Sequence, residues 1–362
     1  MQKTDCALRM SCRSVDCVTS LEDYATGAVS CRSPSTSRPP HVQIPRIIGM
    51  RTLSMAVAAS MVFQSPHARA EVLTIPGPEG ALSGTYTDAG ERQHVVVIVP
   101  GSGPVDRDGN GPEVGLHSNS YRLLAEALTA AGLSSIRIDK RGFFGSATAI
   151  ADPNAVTITD YAEDARAWVD RAAKTASCVW VAGHSEGGLV AMIAATKPPA
   201  ALCGVILLAA PGRPVGQLMR AQIRANPANG PFIAELEAII DSLEAGQPYP
   251  INAISAELQP MFQPGMQRYM IDLFSYDPMT ATAALKLPLL IVHGEADVQI
   301  GVQDAKLLQS AALDSELHLI PDMTHMLKAD VSGQPFATYT DPDLPLHPAL
   351  VPAIMGFISS QD

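Results

Sequence analysis

Patterns of buried strands and amphipathic helices alternate along the chain from residue 71 to its end. The run HVVVIVP at 94–100 is apolar at every position but its first, as expected for a strand that helices cover on both faces. Runs of the same character, CVWVAG at 178–183 and LPLLIVHG at 287–294, are separated by stretches with helical spacing. This alternation predicts an α/β fold, a mainly parallel central sheet with helices on both faces.

One segment departs from the alternation and contains helical patterns without a strand pattern. It runs from about 213 to 285, and Pro and Gly residues separate its helices. We predict that this segment is a helical cap over the carboxyl ends of the strands, where ligands of open parallel sheets bind. The predicted strands are 71–76, 81–87, 94–100, 133–139, 178–183, 203–210, 287–294 and 316–321. The predicted helices outside the cap are 119–131, 158–174, 186–197, 302–313 and 348–360.

The first 70 residues have the pattern of a targeting segment rather than of a folded domain. Residues 1–49 are rich in Ser, Arg, Pro and Cys without an apolar period, which predicts a disordered or mis-assigned extension. Residues 50–70 hold a basic start, an apolar run and the A-x-A site Ala68-Arg69-Ala70, which together predict a secretory signal peptide. Cleavage after Ala70 would place residues 71–362 in a bacterial periplasm. A cytosolic protein with a disordered tail is the alternative.

Charge and composition exclude several classes of partner. The formal net charge is −11, and residues 1–70 carry an excess of basic groups, so the remaining chain is more acidic still. An acidic body is a poor partner for nucleic acid or for an anionic membrane surface. The apolar run at 53–63 is shorter than the ~20 residues that span a bilayer, so we expect no stable membrane insertion after signal cleavage.

The stretch GHSEGG, with Ser185 at its centre, follows the strand pattern CVWVA and precedes the helical pattern GLVAMIAA. The pattern G-x-S-x-G between a strand and a helix is typical of a sharp turn that exposes a nucleophilic serine. A serine that only caps the helix is the alternative. The sequence therefore predicts Ser185 as a nucleophile.

A nucleophilic serine needs a base and an acid that orients the base, and in this arrangement they follow it in the order acid, then His. Asp297 comes directly after the strand pattern LLIVHG, and His325 lies in the loop after ELHLIP. Glu295 is the alternative acid. The order of these residues predicts a triad of Ser185, Asp297 and His325.

Two backbone amides are predicted to form the oxyanion hole. One belongs to Glu186, directly after the nucleophile, and the other comes from the Gly-rich loop PGSGPVDRDGN, in which Ser102 is favoured over Gly103. Charged residues of this loop and of DKRG, among them Arg107 and Asp139, are expected to pair and brace it. This loop lacks the Gly-Lys-Ser/Thr ending of a nucleotide-binding P-loop, and no CxxC metal spacing occurs after residue 70.

Two cysteines follow residue 70, Cys178 and Cys203, each at the start of a strand pattern. If the two strands are neighbours and the compartment is oxidising, the thiols can form a disulfide. Two buried free thiols are the alternative, because neighbouring strand starts only sometimes bring Cα atoms within ~4.4–6.8 Å.

These motifs resemble the α/β-hydrolase superfamily, and more narrowly its serine-aminopeptidase-like branch of small bacterial carboxylesterases. The stretches that carry the resemblance are GSGPVDRDG, RIDKRGFFGSA, GHSEGG, APGRP, HGEADVQI, THMLK and DPDLPL. The resemblance covers nearly all of 71–362 and implies hydrolysis of a small carboxylic ester without a metal or organic cofactor. It also implies Ser185, Asp297 and His325 as nucleophile, acid and base.

Other activities share the same triad, and the sequence leaves them open. An aminopeptidase or amidase would need a group that binds the substrate amine, and the cap carries several acidic residues, although these are spaced like ordinary solvated charge. An acyltransferase differs in the molecule that releases the acyl group from the serine. A non-catalytic binding protein that keeps the fold is the remaining alternative.

Overall fold

A computed structural model describes residues 69–90 and 93–362 of the protein. The predicted extension 1–49 lies outside the described residues, and so does the predicted signal peptide 50–70, except for its last two residues. The first described strand begins at Arg69, two residues before the predicted mature N-terminus at Glu71.

The ten strands of the described residues are β1 Arg69–Pro76, β2 Ala81–Asp88, β3 His94–Val99, β4 Asn110–Gly111, β5 Leu116–His117, β6 Ser134–Ile138, β7 Cys178–His184, β8 Leu202–Leu208, β9 Leu289–Gly294 and β10 Glu316–Ile320. The α-helices there are α1 Ser120–Ala130, α2 Ile158–Ala172, α3 Glu186–Ala195, α4 Val215–Ala225, α5 Ile233–Glu244, α6 Pro264–Phe274, α7 Pro278–Ala283, α8 Val302–Ala311, α9 Ala337–Thr340 and α10 Leu350–Ser359. Short 3₁₀ turns connect several of these elements.

Eight strands form one sheet in the order β1-β2-β6-β3-β7-β8-β9-β10. β2 runs antiparallel to both of its neighbours, whereas β6, β3, β7, β8, β9 and β10 run parallel to one another. Strands 4 and 5 form a separate two-stranded ribbon in the loop after β3. The predicted fold class, a mainly parallel sheet with helices on both faces, is confirmed.

Alternate side chains of β3 explain why both faces are covered. Val95 and Val97 point into a core that α2 and α3 complete, and Val96 and Ile98 point into a second core with α1 and α10. Each of these four side chains is fully buried. A strand with two apolar faces is stable only between two layers of helices, and this places β3 and β7 at the centre of the molecule.

Between β8 and β9 the structure contains α4, α5, α6, α7 and 3₁₀ turns, and no strand. Apolar side chains of this segment, including Leu236, Leu258 and Phe262, belong to the same core as the helices α2 and α3. The segment therefore packs on the body through shared apolar contacts. None of the helices in the described residues is both long and apolar enough to cross a membrane.

The strands β7 and β8 are direct neighbours, and they carry the two cysteines near their first residues. The structure joins Cys178 and Cys203 in a disulfide, with their Cα atoms 5.6 Å apart. This bond lies at the amino end of the sheet. The site described next lies at its carboxyl end.

Candidate active site

Ser185 stands in the turn between β7 and α3 and has backbone angles of φ 54° and ψ −123°. Left-handed angles of this kind are unfavourable for a serine and persist where the surrounding fold imposes them. Two glycines make the tight turn feasible, since a Cβ at Gly183 would collide with the Gly187 backbone and one at Gly187 with the Val99 carbonyl. The turn presents Ser185 at the N-terminus of α3, where the helix dipole favours negative charge.

The carboxylate of Asp297 holds the imidazole of His325. The Nδ1–H of His325 donates to Asp297 Oδ2 over 2.7 Å, and both side chains are almost completely buried. Asp297 Oδ1 accepts the backbone N–H groups of Gln299 and Ile300 at 2.8 and 3.0 Å. Burial alone would raise the pKa of Asp297, but the charge and hydrogen bond of His325 and the Ile300 amide together lower it. The acid is therefore ionised and fixes the direction of the ring.

Ser185 and His325 line one cavity of about 140 Å³ at the carboxyl end of the sheet. Among the hydrogen bonds of residues 69–90 and 93–362, none joins Ser185 Oγ to the imidazole of His325. Catalytic hydrogen bonds are often long before substrate binds and shorten in the complex. The structure thus joins two of the predicted triad residues, Asp297 and His325, by a hydrogen bond and places the third, Ser185, on the same cavity as His325.

The predicted oxyanion donors lie on either side of Ser185. Glu186 is the first residue of α3, so its N–H has no acceptor within the helix. Ser102 lies in the loop after β3 and lines the cavities around Ser185. The buried Lys140 donates from Nζ to the Gly101 carbonyl at 2.6 Å and to Glu186 Oε1 at 3.1 Å, and so ties this loop to the start of α3.

The expected bracing of the loop by charged residues occurs in part. Arg107 forms an ion pair with the buried Asp139, and its backbone N–H also donates to Asp139 Oδ1 at 2.8 Å. Asp108 pairs with Arg137 of β6 at 2.7 Å. Arg141 binds away from the loop, where it donates to Asp160 and Asp164 of α2. None of these three arginines lines a cavity at Ser185.

His184, directly before Ser185, lines the same cavity as Ser185 and His325. Its Nε2 lies 2.7 Å from the backbone carbonyl of His325, and its Nδ1 lies 2.8 Å from the Tyr121 hydroxyl. A carbonyl can only accept, so Nε2 carries the proton and Nδ1 accepts from Tyr121. Burial, followed by the nearby His325, lowers the pKa of His184 to about 3, so the ring is neutral.

The Tyr121 hydroxyl also accepts the N–H of Gly101 at 3.0 Å, in the loop that carries the second oxyanion donor. One buried chain of hydrogen bonds therefore connects Gly101, Tyr121, His184 and the backbone of His325. Sequence reasoning missed this chain, since its members are far apart in sequence. The sequence signals that could have indicated it are a histidine directly before Ser185 and a tyrosine in the first helix after the Gly-rich loop.

The loop that carries His325 is held from several directions. Ser120 Oγ donates to the Met326 carbonyl at 2.7 Å, and the Thr324 N–H donates to the Lys328 carbonyl at 2.9 Å. The backbone of Asp322 and that of Leu327 have positive φ, so the loop makes tight turns on both sides of the histidine. Asp322 is exposed, and it makes the first of these turns.

The alternative residues take other places in the structure. Glu295 is exposed, and His293 is buried in β9, where Nε2 donates to the Ile300 carbonyl at 2.8 Å. The acidic residues of the cap are engaged on its surface: Glu235 accepts from Ser255, Glu237 pairs with Arg224, and Asp241 and Glu244 pair with Arg220. Across the described residues, no group of three or more His, Cys, Asp or Glu is arranged to hold a metal ion.

A second and larger cavity, of about 460 Å³, also reaches Ser185 and extends beneath the helical segment. Apolar cap residues contribute most of its lining there, namely Val215, Leu218, Met219, Met261, Met266, Met270 and Leu273. The ion pair of Lys140 and Glu186 forms part of its wall on the body side together with Tyr161, and Tyr269 of α6 lines it from the helical segment. Burial, followed by the charge of Glu186, raises the pKa of Tyr269, so this phenol keeps its proton.

Parts of the chain are similar in sequence to a known family and to known enzymes. The family model described as serine aminopeptidase, S33, matches residues 113–247. Esterase EstD of Thermotoga maritima is 27% identical over 248 residues, which cover 66% of this chain and 55% of that esterase. A monoacylglycerol lipase of Mycolicibacterium smegmatis is 26% identical over 224 residues, which cover 56% of this chain and 74% of the lipase. The chain thus spans little more than half the length of the Thermotoga esterase.

Solved structures share the fold at low sequence identity. The α/β hydrolase GrgF of Penicillium sp. sh18 matches with a TM-score of 0.53 and 16% identity over 81% of this chain and 99% of its own. Est1E of Butyrivibrio proteoclasticus with bound ferulic acid matches with a TM-score of 0.52 and 17% identity over 80% and 98%. The strand order and the solved structures together show an α/β-hydrolase fold, and the similarities in sequence support its esterase-like branch.

Proposed function

We propose that the protein hydrolyses carboxylic esters through an acyl-enzyme on Ser185. His325 Nε2 accepts the Ser185 proton as Oγ bonds to the ester carbonyl carbon, and the oxyanion binds the amides of Glu186 and Ser102. The bond to the alcohol oxygen then breaks, and His325 protonates that oxygen. Water then attacks the acyl carbon as His325 takes one of its protons, and His325 returns that proton to Ser185 Oγ as the bond from Oγ to the acyl carbon breaks, which releases the carboxylic acid and the free serine.

The observation that supports this proposal most strongly is the buried hydrogen bond of 2.7 Å from His325 to Asp297, in a loop that borders the same cavity as Ser185. Asp297 fixes the tautomer in which Nε2 is free to accept a proton. Similarity to an esterase and to a lipase also favours ester cleavage over other chemistry of this fold.

An aminopeptidase with the same triad is the second candidate, and the description of the matching family model favours it. The paired acidic residues of the cap count against it, since their carboxylates are engaged with Arg220, Arg224 and Ser255. Aminoacyl anilides separate the two candidates, because an esterase of this kind turns them over poorly.

We expect the wild-type protein to react with a fluorophosphonate probe and to cleave p-nitrophenyl esters. Ser185→Ala should lose both properties, and Asp297→Asn should keep the fold but lose about 10⁴ in kcat, as when a triad acid is neutralised elsewhere. Arg268→Ala, at an exposed ion pair away from the triad, serves as the matched control. Wild-type protein that is not labelled would contradict the proposal, and turnover of anilides without esters would replace it with the peptidase.

A further inference from the structure

Ser185 lies where two cavities of different size and composition meet. Among their lining residues, Ser102, Ser185 and Gln299 are shared. His325 lines only the small cavity of about 140 Å³, whereas Glu186 lines only the large one of about 460 Å³. The base of the triad and the first oxyanion donor thus line different cavities next to the nucleophile.

The chemistry of ester cleavage gives each side a role. In the tetrahedral intermediate the former carbonyl carbon bears Ser185 Oγ, the oxyanion, the alcohol oxygen and the acyl chain. The alcohol oxygen must lie within hydrogen-bond reach of His325, because the proton taken from Ser185 is delivered to it. The oxyanion faces the two amides, and the acyl chain takes the remaining direction.

We propose that the small cavity beside His325 receives the alcohol part of the ester, and that the large cavity beneath the cap receives the acyl chain. This assignment rests on the proposed function. It makes the substrate an ester of a small alcohol with an apolar acyl chain of medium length, since 460 Å³ lies in the range of cavities that enclose whole small ligands.

The residues that line each cavity agree with this assignment. Four methionines of the cap, Met219, Met261, Met266 and Met270, line the large cavity, and flexible thioethers adapt to chains of different shape. Val114, Leu116 and Tyr339 line the small cavity, and Tyr339 receives a hydrogen bond of 2.9 Å from Gln299. Little room is left there for a branched or aromatic alcohol.

Two matched series of esters test the assignment. In one, ethyl esters carry acyl chains from acetate to decanoate, and in the other, hexanoate is joined to alcohols from methanol to benzyl alcohol. We expect kcat/KM to rise at least tenfold along the acyl series and to fall at least tenfold along the alcohol series, since each misfitting group in an apolar pocket is worth about tenfold or more. The opposite order in both series would overturn the assignment.

Two variants and their controls test which cavity sets the preference for the acyl chain and which sets the preference for the alcohol. Met219→Trp fills the large cavity and should lower the ratio of kcat/KM for ethyl octanoate to that for ethyl acetate about tenfold. Leu116→Ala widens the small cavity and should raise the ratio for benzyl over ethyl hexanoate by a similar factor. Gln217→Trp, exposed on α4, and Glu113→Ala, exposed beside Val114, are the controls and should change neither ratio.

A structure of the adduct with a long alkyl fluorophosphonate supplies a readout that does not depend on turnover. Its alkyl chain, which mimics the acyl chain, should lie beneath the cap. An alkyl chain in the small cavity would overturn the assignment while the proposed function stands. A protein that neither reacts with the probe nor cleaves any ester would instead overturn the proposed function, and the assignment with it.

Discussion

At the scale of single residues, a series of buried hydrogen bonds runs from Gly101 through Tyr121 and His184 to the His325 backbone. It links the loop after β3, which contains Ser102, to the loop that contains His325. The Gly101 amide lies next to Ser102, the second predicted oxyanion donor, and the His325 carbonyl belongs to the residue predicted as the base. Burial raises the pKa of Tyr121, so its hydroxyl remains a donor. Because every group in this series is buried, each depends on its partner for its hydrogen bond.

Removing the Tyr121 hydroxyl should therefore affect the rate more than substrate binding. We expect Tyr121→Phe to lower kcat about tenfold to a hundredfold with little change in KM, because both the Gly101 N–H and His184 Nδ1 lose their partner. Steady-state kinetics measures this split. Tyr86→Phe, which removes a part-buried hydroxyl near Asp88, is the control. An unchanged kcat, or a loss confined to KM, would contradict a positioning role.

At the scale of elements, one end of β7 carries the disulfide and the other end leads to the candidate active site. Its first residue, Cys178, is bonded to Cys203, and its last residue leads into the serine turn. The seven residues of β7, from Cys178 to His184, span roughly 23 Å of extended strand. Changes at the disulfide should therefore influence stability and leave the site intact.

We expect the double variant Cys178→Ser and Cys203→Ser to lose about 3 kcal/mol of unfolding free energy. The bond closes a loop with a sequence separation of 25, and this loss of chain freedom in the unfolded state has about that size. Urea unfolding measures it, and kcat should stay within about twofold of wild type. Reductant should destabilise the wild type but not the variant; equal stability of the two proteins would show that the bond contributes nothing.

Outside the segment between β8 and β9, the sequence predicted the longer strands and helices to within two residues at each end, because long apolar runs and Gly or Pro boundaries define them locally. Asp297 and His325 could be predicted because the strand order fixes where loops after strands must lie. The short ribbon of β4 and β5 and the helix α9 have no apolar period, and they were not predicted. The contact between Tyr121 and His184 depends on tertiary packing across 63 positions, which no local pattern records.

At the scale of the whole molecule, the cap and the body share one apolar core on one face of the sheet. Phe262 of the helical segment is fully buried in the same cluster as Trp168 of α2. Both tryptophans of the chain, Trp168 and Trp180, belong to the body. Their fluorescence therefore reports how the body responds to a change made in the cap.

We expect Phe262→Ala to lower the stability of the body as well as that of the cap, by about 3–5 kcal/mol, since it leaves a large cavity in a shared core. The tryptophan-monitored unfolding transition should move to lower urea concentration and remain a single step. Leu313→Ala, at a position with 85% of its surface exposed, should leave the transition in place. A cap that unfolds as an independent unit would instead leave the tryptophan signal of the Phe262 variant unchanged.

The positive φ of Ser185 has a consequence for attempts to improve this protein. Glycine adopts that backbone conformation without steric strain, so we expect a library selected for heat resistance alone to favour glycine at the position of the proposed nucleophile. The most robust members of such a library would be the inert ones. Selection for durability must therefore be coupled to a screen for turnover, because at this residue the two properties oppose each other.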